Sequence, residues 1–299
     1  MLSAPTGHFV ENAFMSYRWW SCCRTDTGRQ RSINEDAYLD MDDLGLWVVA
    51  DGMGGHAKGD VASRTIIEAF NGMDRPYSMD EFESIVKERL NQANQQMREA
   101  LMRADPAQMM GSTVVAFLAY KREWRCLWAG DSRAYLMRNG RLMQITRDHS
   151  VAQEMVERGE LRQDEAAFHP LANRITRAIG TRNEPVLDEY RSFLRDGDTV
   201  LLCSDGLNKE VSDNEVAEIL ETLDCDDASR ELVNLTLERG ARDNVTVAVI
   251  RFEATTGFRT RLADDTAINY GLPRPSAHVA DHVVRDVSGP GYRQNSTQV

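Results

Sequence analysis

The sequence predicts an α+β fold in which strands and helices occupy separate stretches of the chain. Strand-like segments come first and two helical segments follow. A second group of strands then leads through a polar loop to further strands, two helices and a last strand. Because the two kinds of element do not alternate one by one, layered antiparallel sheets and helices are favoured over a doubly wound parallel sheet. The chain has 299 residues, of which 42% are hydrophobic, so it can bury a full core.

The first strands lead into a glycine-rich stretch. Residues 19–23 and 37–41 have strand-like patterns, and the apolar run LGLWVVA predicts a buried strand that delivers Asp51. Four of the next eight residues are glycine, and His56 lies among them. A carboxylate followed by backbone that can bend closely suits a hard cation. It suits a strand-to-helix turn with a capping aspartate equally well.

Two amphipathic helices are predicted next. Between residues 57 and 73, apolar side chains recur at helical spacing. Ser78 and Glu81 have the spacing of a capping box at the start of the second helix, and Pro106 ends that helix. The apolar stripes of both helices are interpreted as core-facing surfaces.

The middle of the chain is predicted to be an antiparallel meander. The pair Asn139-Gly140 is a strong signal for a two-residue hairpin turn. The motif GDSR, at residues 130–133, interrupts the meander between two strands. The strand-like segments cover residues 113–120, 124–129, 134–137 and 142–145.

A polar segment separates the meander from the last elements. Residues 149–158 predict a short helix, and residues 160–173 have no clear period, which is typical of a lid or binding loop. Ser212 and Glu215 form a second capping-box pattern. The later elements are strands at 186–194 and 199–203, a helix that starts at this capping box, a helix at 228–239 and a strand at 244–252.

Composition and charge exclude several classes of protein. The net charge of -12 argues against a general nucleic-acid binder. The five cysteines have no zinc-site spacing and indicate a reducing compartment. The sequence shows neither a secretory signal nor an apolar run long enough to span a membrane, so a cytoplasmic location without membrane partners is expected. Residues 1–15 are expected to form a loose leader, and residues 254–299 a low-order tail.

Acidic residues lie at the ends of apolar strands in five places. Carboxylates gathered in one place repel each other and are costly to desolvate, so cations would be needed to stabilise them. Ligands that are only oxygen atoms select Mg²⁺ or Mn²⁺ over zinc. Two such ions would suit the hydrolysis of a phosphate ester. The residues are Asp51, Asp131, Asp205, Asp243 and the pair Glu35 and Asp36.

Eight motifs between Arg18 and Phe252 resemble those of the metal-dependent serine/threonine protein phosphatases of the PPM, or type 2C, family. In order they are RSINEDAYL, VVADGMGGH, GSTVV, AGDSRAYL, RDHS, ITRAIG, LLCSDGL and DNVTV. The form DGMGGH resembles bacterial, single-domain members. The resemblance implies an α/β/β/α sandwich, with two antiparallel sheets flanked by helices, over residues 16–253.

The resemblance also implies roles for individual residues. Asp51 would bridge two metal ions, the Gly52 carbonyl would bind one of them, and Arg31 would grip the substrate phosphate. The general acid stays open, since Met53 stands where eukaryotic members have a histidine. His56 and a metal-bound water are both candidates for that role, and a structural function is the alternative for His56. The other implied ligands are Asp205 and Asp243 on the second ion, Glu35 and Asp36 on metal-bound waters, and Asp131 with Asp205 on a weaker third ion.

The implied activity is hydrolysis of phosphoserine and phosphothreonine in proteins by a metal-activated water. Mn²⁺ or Mg²⁺ would occupy two sites and a weaker third. Bacterial relatives of this type oppose a serine/threonine kinase, and some act on forkhead-associated proteins of secretion systems. The protein is expected to be a monomer. The alternative is a catalytically inactive phosphatase fold that acts as a regulatory or binding module.

Overall fold

Two antiparallel sheets stack face to face in the computed structural model, which describes residues 17–54, 58–104, 109–166 and 168–255. With strands numbered along the chain, the first sheet contains, in spatial order, β1 (Tyr17–Asp26), β11 (Val245–Ala254), β10 (Thr199–Cys203), β7 (Arg133–Arg138) and β8 (Arg141–Gln144). The second contains β2 (Asp36–Met41), β3 (Leu46–Met53), β5 (Val114–Tyr120), β6 (Glu123–Ala129) and β9 (Asp188–Phe193), and the short β4 (Gly111–Ser112) pairs with β3.

Helices cover the outer face of each sheet. Helices α1 (Lys58–Glu68) and α2 (Met79–Ala104) pack on the second sheet, and α6 (Asp213–Thr222) and α7 (Cys225–Glu238) pack on the first. The predicted α/β/β/α sandwich is therefore confirmed. Three shorter helices lie in the connections, namely α3 (Val151–Glu157), α4 (Gln163–Ala166) and α5 (Asp205–Asn208).

The central strand β3 is apolar on both faces because the sandwich covers both. Trp47 and Val49 point into the core between the sheets, whereas Val48 and Ala50 point into the core beneath α1 and α2. Side chains of a strand alternate between its two faces, so a strand buried on both sides reads as one continuous apolar run. The position of β3 between two cores therefore accounts for the continuous apolar run LGLWVVA.

The predicted meander is wrong at its centre. Strands β5 and β6 pair in the second sheet, while β7 and β8 pair in the first. The chain changes sheets at Gly130, whose φ of +115° lies in the region that favours glycine. A hairpin between neighbouring strands can be predicted from local sequence. The change of sheet cannot, because it depends on the pairing of β7 with β10, which is distant in sequence.

Most of the predicted leader and tail lies outside the described residues. The last strand ends at Ala254, one residue beyond the predicted end of the domain. The predicted leader, and residues 256–299 of the predicted tail, lie outside the described residues. Of the helices that are described, none combines the length and the apolar character needed to cross a bilayer.

Trp47 is expected to dominate the stability of the inter-sheet core. Its side chain is fully buried, and its ring lies 6.1 Å from the rings of Trp19 and Phe252 and 6.3 Å from that of Phe117. Trp47→Ala should lower the free energy of unfolding by about 3–5 kcal/mol in urea titrations. Its indole N–H has no hydrogen-bond partner among the described residues, so Trp47→Phe loses no hydrogen bond there, leaves a smaller cavity and should cost less than Trp47→Ala.

The control is Trp20→Ala, because Trp20 is 46% exposed. Equal losses of stability for Trp47→Ala and Trp20→Ala would contradict the assignment of Trp47 to the core.

Candidate active site

Carboxylates from both sheets meet at one end of the sandwich. Asp36 and Asp51 face each other as register partners on β2 and β3 of the second sheet. From the first sheet, Asp205 follows β10, Asp243 precedes β11, and Asp131 precedes β7. Strands that are far apart in sequence therefore bring together the acidic residues that the sequence predicts as a cluster.

Asp36 joins the two sheets through its side chain. Its Oδ2 accepts hydrogen bonds of 2.7 Å from the hydroxyl of Thr246 in β11 and from that of Ser204, which directly follows β10 of the first sheet. Its Oδ1 is buried and has no hydrogen-bond partner among the described residues. Burial raises the pKa of Asp36 to about 7, although the two hydroxyls act in the opposite direction.

The backbone around Asp51 is held rigidly on both sides. Its N–H donates to the Thr113 hydroxyl at 3.0 Å, and its carbonyl accepts from the Thr113 N–H at 2.9 Å and from the Ser112 hydroxyl at 3.0 Å. Burial, followed by the charges of Asp36 and Asp205, raises the pKa of Asp51 well above its ordinary value. Asp51 lies inside β3, which continues to Met53, and not at the strand's end as predicted.

Gly52 brings the start of α1 against β3. A Cβ atom at this position would lie 1.9 Å from the carbonyl oxygen of Gly59, so only glycine allows this approach. The Gly52 N–H donates to the carbonyl of Glu35 at 3.0 Å, and the Glu35 Oε1 accepts from the Gly59 N–H at 3.2 Å. Burial raises the pKa of Glu35. Gly52 and Glu35, which were predicted separately for the site, therefore lie side by side.

Two cationic side chains hold the carboxylates of the first sheet. The Nζ of Lys209 lies 2.5 Å from Oδ2 of Asp205 and 2.8 Å from Oδ2 of Asp243. Arg31 binds Asp243 from the other side, with Nε 2.9 Å from Oδ1 and Nη2 3.1 Å from Oδ2. Burial opposes ionisation of Asp243, but the contacts with Lys209 and Arg31 lower its pKa. The pKa of Asp205 is raised by burial, against the effect of Lys209.

Asp131 is presented by a turn that His149 supports. The Nδ1 of His149 accepts from the Gly130 N–H at 3.1 Å, and its Nε2 lies 3.1 Å from Asp188. Burial raises the pKa of Asp131 well above its ordinary value, and the charge of Asp205 adds to this. Ser150 caps α3, with its hydroxyl accepting from the Gln153 N–H.

The acidic residues line a cavity of about 370 Å³. A second cavity, of about 800 Å³, shares lining residues with it. Five residues of the predicted lid also line this second cavity, namely Gln163, Ala166, Phe168, Ala172 and Asn173. Asp36 does not line the smaller cavity, but it is the register partner of Asp51 and its charge helps to raise the pKa of Asp51; His56 lies outside the described residues. The smaller cavity contains seven residues predicted for the site, Arg31, Glu35, Asp51, Gly52, Asp131, Asp205 and Asp243, together with Lys209, which sequence reasoning did not single out.

The donor set fits a hard divalent cation. Its ligand atoms are carboxylate and carbonyl oxygens, and the Oδ1 atoms of Asp36 and Asp205 are buried without a hydrogen-bond partner among the described residues. Within that part of the chain, no three acidic, histidine or cysteine side chains are arranged to hold an ion as they stand. Arg31 contacts Oδ1 of Asp243, and Lys209 contacts Oδ2 of Asp243 and Oδ2 of Asp205.

An α/β/β/α sandwich with an oxygen-only acidic site where its sheets meet defines the class of metal-dependent phosphatases. A profile of the protein phosphatase 2C family matches residues 25–240. This match covers more than half of the chain, and the protein therefore belongs to the protein phosphatase 2C family. The resemblance seen in the motifs is confirmed.

Relatives and solved structures agree with this membership. The serine/threonine phosphatase Stp of Listeria welshimeri is 33% identical over 76% of this chain and 93% of its own length. The serine/threonine protein phosphatase PstP of Mycobacterium tuberculosis is 36% identical over 76% of this chain and 43% of its own length. PppA of Pseudomonas aeruginosa, described as a key regulatory component of the T6SS, is 40% identical, with a TM-score of 0.73 over 80% of this chain and 99% of its own.

A structure of the PstP catalytic domain was determined in complex with two manganese ions. It is 34% identical to this chain, with a TM-score of 0.70 over 80% of this chain and 99% of its own. The protein is accordingly a serine/threonine protein phosphatase of a metal-dependent family. The alternative, a catalytically inactive module, finds no support in these comparisons.

The raised pKa of Asp36 predicts a pH-dependent stability of the metal-free protein. Between the ordinary value of 3.8 and the folded value of about 7, the folded protein keeps a proton that the unfolded chain has released. Raising the pH through this range should therefore lower the free energy of unfolding, by up to about 1.4 kcal/mol per pH unit for each such proton. Asp36→Asn should flatten this slope in urea titrations with EDTA at pH 5, 6 and 7.

Asp74→Asn, which changes an exposed carboxyl, should keep the wild-type slope. A slope for Asp36→Asn as steep as that of the wild type would contradict the assignment.

Proposed function

We propose that this phosphatase hydrolyses phosphoserine and phosphothreonine in proteins with two Mn²⁺ or Mg²⁺ ions bound at the acidic site. The single observation that supports the proposal most strongly is the burial of carboxylates from both sheets around one cavity, with oxygens of Asp36 and Asp205 left without partners among the described residues. Such a cluster is stabilised by cations of high charge. The proposed domain spans residues 16–253.

The ligands are proposed residue by residue. Asp51 would be shared by the two ions, the Gly52 carbonyl would hold one of them, and Asp205 and Asp243 would hold the other. Glu35 and Asp36 would act on them through water molecules. Asp131, with Asp205, would hold a weaker third ion. When bound, the ions would neutralise charge on the phosphate oxygens and activate a water molecule.

Arg31 is proposed to orient the substrate phosphate. Its guanidinium lines the cavity, its side chain is half exposed, and it already binds the Asp243 carboxylate through two nitrogens. The same fork of donors matches two oxygens of a phosphate. A phosphate that enters the cavity could therefore take over the donors that Asp243 occupies.

The donor of the proton to the leaving group stays open between His56 and a water molecule. His56 lies outside the described residues. Its replacement by glutamine separates the two candidates, because loss of a general acid lowers kcat while the binding of substrate is kept.

The proposed partners are phosphorylated proteins and a serine/threonine kinase whose action this enzyme reverses, in the cytoplasm, with the enzyme acting as a monomer. Similarity to Stp, PstP and PppA supports a role of this kind in a bacterium. Forkhead-associated proteins are proposed as one class of substrate. Phosphoproteomics of a strain that lacks the enzyme would identify the phosphosites that accumulate.

Removal of a ligand carboxylate should abolish metal-dependent turnover. Asp51→Asn and Asp205→Asn should each lower kcat/KM for a phosphothreonine peptide in Mn²⁺ by about 100-fold or more, because each removes a charged oxygen donor from the reaction centre. The same loss should appear with p-nitrophenyl phosphate, and EDTA should stop the wild-type enzyme. Asp74→Asn should keep wild-type kinetics, and turnover like that of the wild type in either ligand variant would overturn the assignment.

Replacement of Arg31 should weaken the use of substrate without removing the ions. Arg31→Lys keeps the charge but loses the two-nitrogen fork, so kcat/KM should fall by about 10-fold or more, with Mn²⁺ binding retained in titration calorimetry. Unchanged kcat/KM in Arg31→Lys would show that this arginine does not orient the phosphate.

A further inference from the structure

Lys209 lies where a cation is needed. Its Nζ is within 2.8 Å of both Asp205 and Asp243, the two carboxylates proposed for the second ion, and it lines both cavities. Its side chain is 24% exposed, so the contact is sheltered from solvent. At this depth a lysine ammonium and two carboxylates interact more strongly than a surface ion pair does.

The position of Lys209 follows directly from that of Asp205. Asp205 begins the short helix α5, and the Lys209 N–H closes the turn on the Asp205 carbonyl at 3.1 Å. Residues four apart lie on the same face of a helical turn, which aims the lysine back at the carboxylate. The backbone that presents the ligand therefore also presents the competing cation.

The two halves of the acidic site differ in this respect. Asp36 and Asp51 form no ion pair with any described cationic residue, whereas Asp205 and Asp243 pair with Lys209, and Asp243 also pairs with Arg31. An incoming divalent ion would thus meet no bound cation at Asp36 and Asp51, but would meet Lys209 at Asp205 and Asp243. The Oδ1 of Asp205, buried and without a partner among the described residues, is the oxygen that Lys209 leaves available.

We propose that Lys209 is an internal cation that competes with the second divalent ion for Asp205 and Asp243 and so sets the affinity of that ion. This inference rests on the proposed ion sites. Binding of the ion displaces the ammonium group from the two carboxylates, and loss of the ion returns it. The first ion, at Asp51, then binds at low concentration, and the second binds only at higher concentration.

Titration calorimetry of Mn²⁺ with the full chain, stripped of metal by EDTA, tests the proposal. Wild-type protein should show a tight class, the first ion, and a weak class that contains the second ion together with the still weaker third ion, which shares Asp205. Lys209→Gln should lower the Kd of the weak class about tenfold and leave the tight class unchanged. A neighbouring charge changes the affinity of a carboxylate for a proton by about one pKa unit, which is a factor of ten, and we expect an effect of similar size on Mn²⁺. Lys209→Arg, which keeps the charge, should leave the weak class weak.

Lys87→Gln is the matched control. Lys87 also bridges two carboxylates, Glu83 at 2.6 Å and Glu189 at 2.7 Å, but lies away from the acidic site. The Lys87→Gln variant should leave both classes of Mn²⁺ site unchanged. As a second measurement, the rise in Tm caused by Mn²⁺ should be larger for Lys209→Gln than for the wild type, because binding stabilises the folded state according to its affinity.

The possible results separate this inference from the proposed function. Two classes in the wild type with no gain of affinity in Lys209→Gln, or with weaker binding, would overturn the role of Lys209 and leave the ion sites standing. An equal gain in Lys87→Gln would overturn it as well, since the effect would then be one of net charge. Absence of Mn²⁺ binding from both the wild type and Lys209→Gln would overturn both proposals.

Discussion

Burial of like charges is the constraint on which the rest of this structure depends. Carboxylates from two sheets converge where little water reaches them, and burial raises the pKa values of Asp36, Asp51 and Asp131. Desolvation and mutual repulsion both oppose this arrangement. The fold offsets them with the hydroxyls of Ser204 and Thr246 and with cations at the other side of the cluster. A fold that maintains such a site at the cost of stability does so for its chemistry.

Local patterns predicted most of the elements. The apolar stripe after Ser78 gave α2, and the capping box at Ser212 is present with both of its hydrogen bonds at the start of α6. The pair Asn139-Gly140 gave the turn between β7 and β8, where both residues have positive φ. These signals act over a few residues, so a single sequence contains them. The acidic cluster was predictable because each strand that borders it has a carboxylate at or near one of its ends.

Contacts between distant residues were not predictable in this way. The change of sheet between β6 and β7 depends on the pairing of β7 with β10, and no sequence pattern near Gly130 indicates that pairing. Lys209 was missed for a related reason, since a lysine after LLCSDGLN resembles any surface lysine. Its spacing of four from Asp205 was the available signal, but it gains meaning only once α5 and the position of Asp243 are known.

The pairing of β1 with β11 has a consequence for biosynthesis. These are the first and last strands described, and they pair along ten residues each, next to the position that carries Asp243. The first sheet therefore cannot close while the ribosome still holds the segment that follows Asp243. A nascent or prematurely terminated chain lacks the last carboxylate and the strand that positions it. A site that includes Asp243 can therefore be completed only once β11 has left the ribosome and paired with β1.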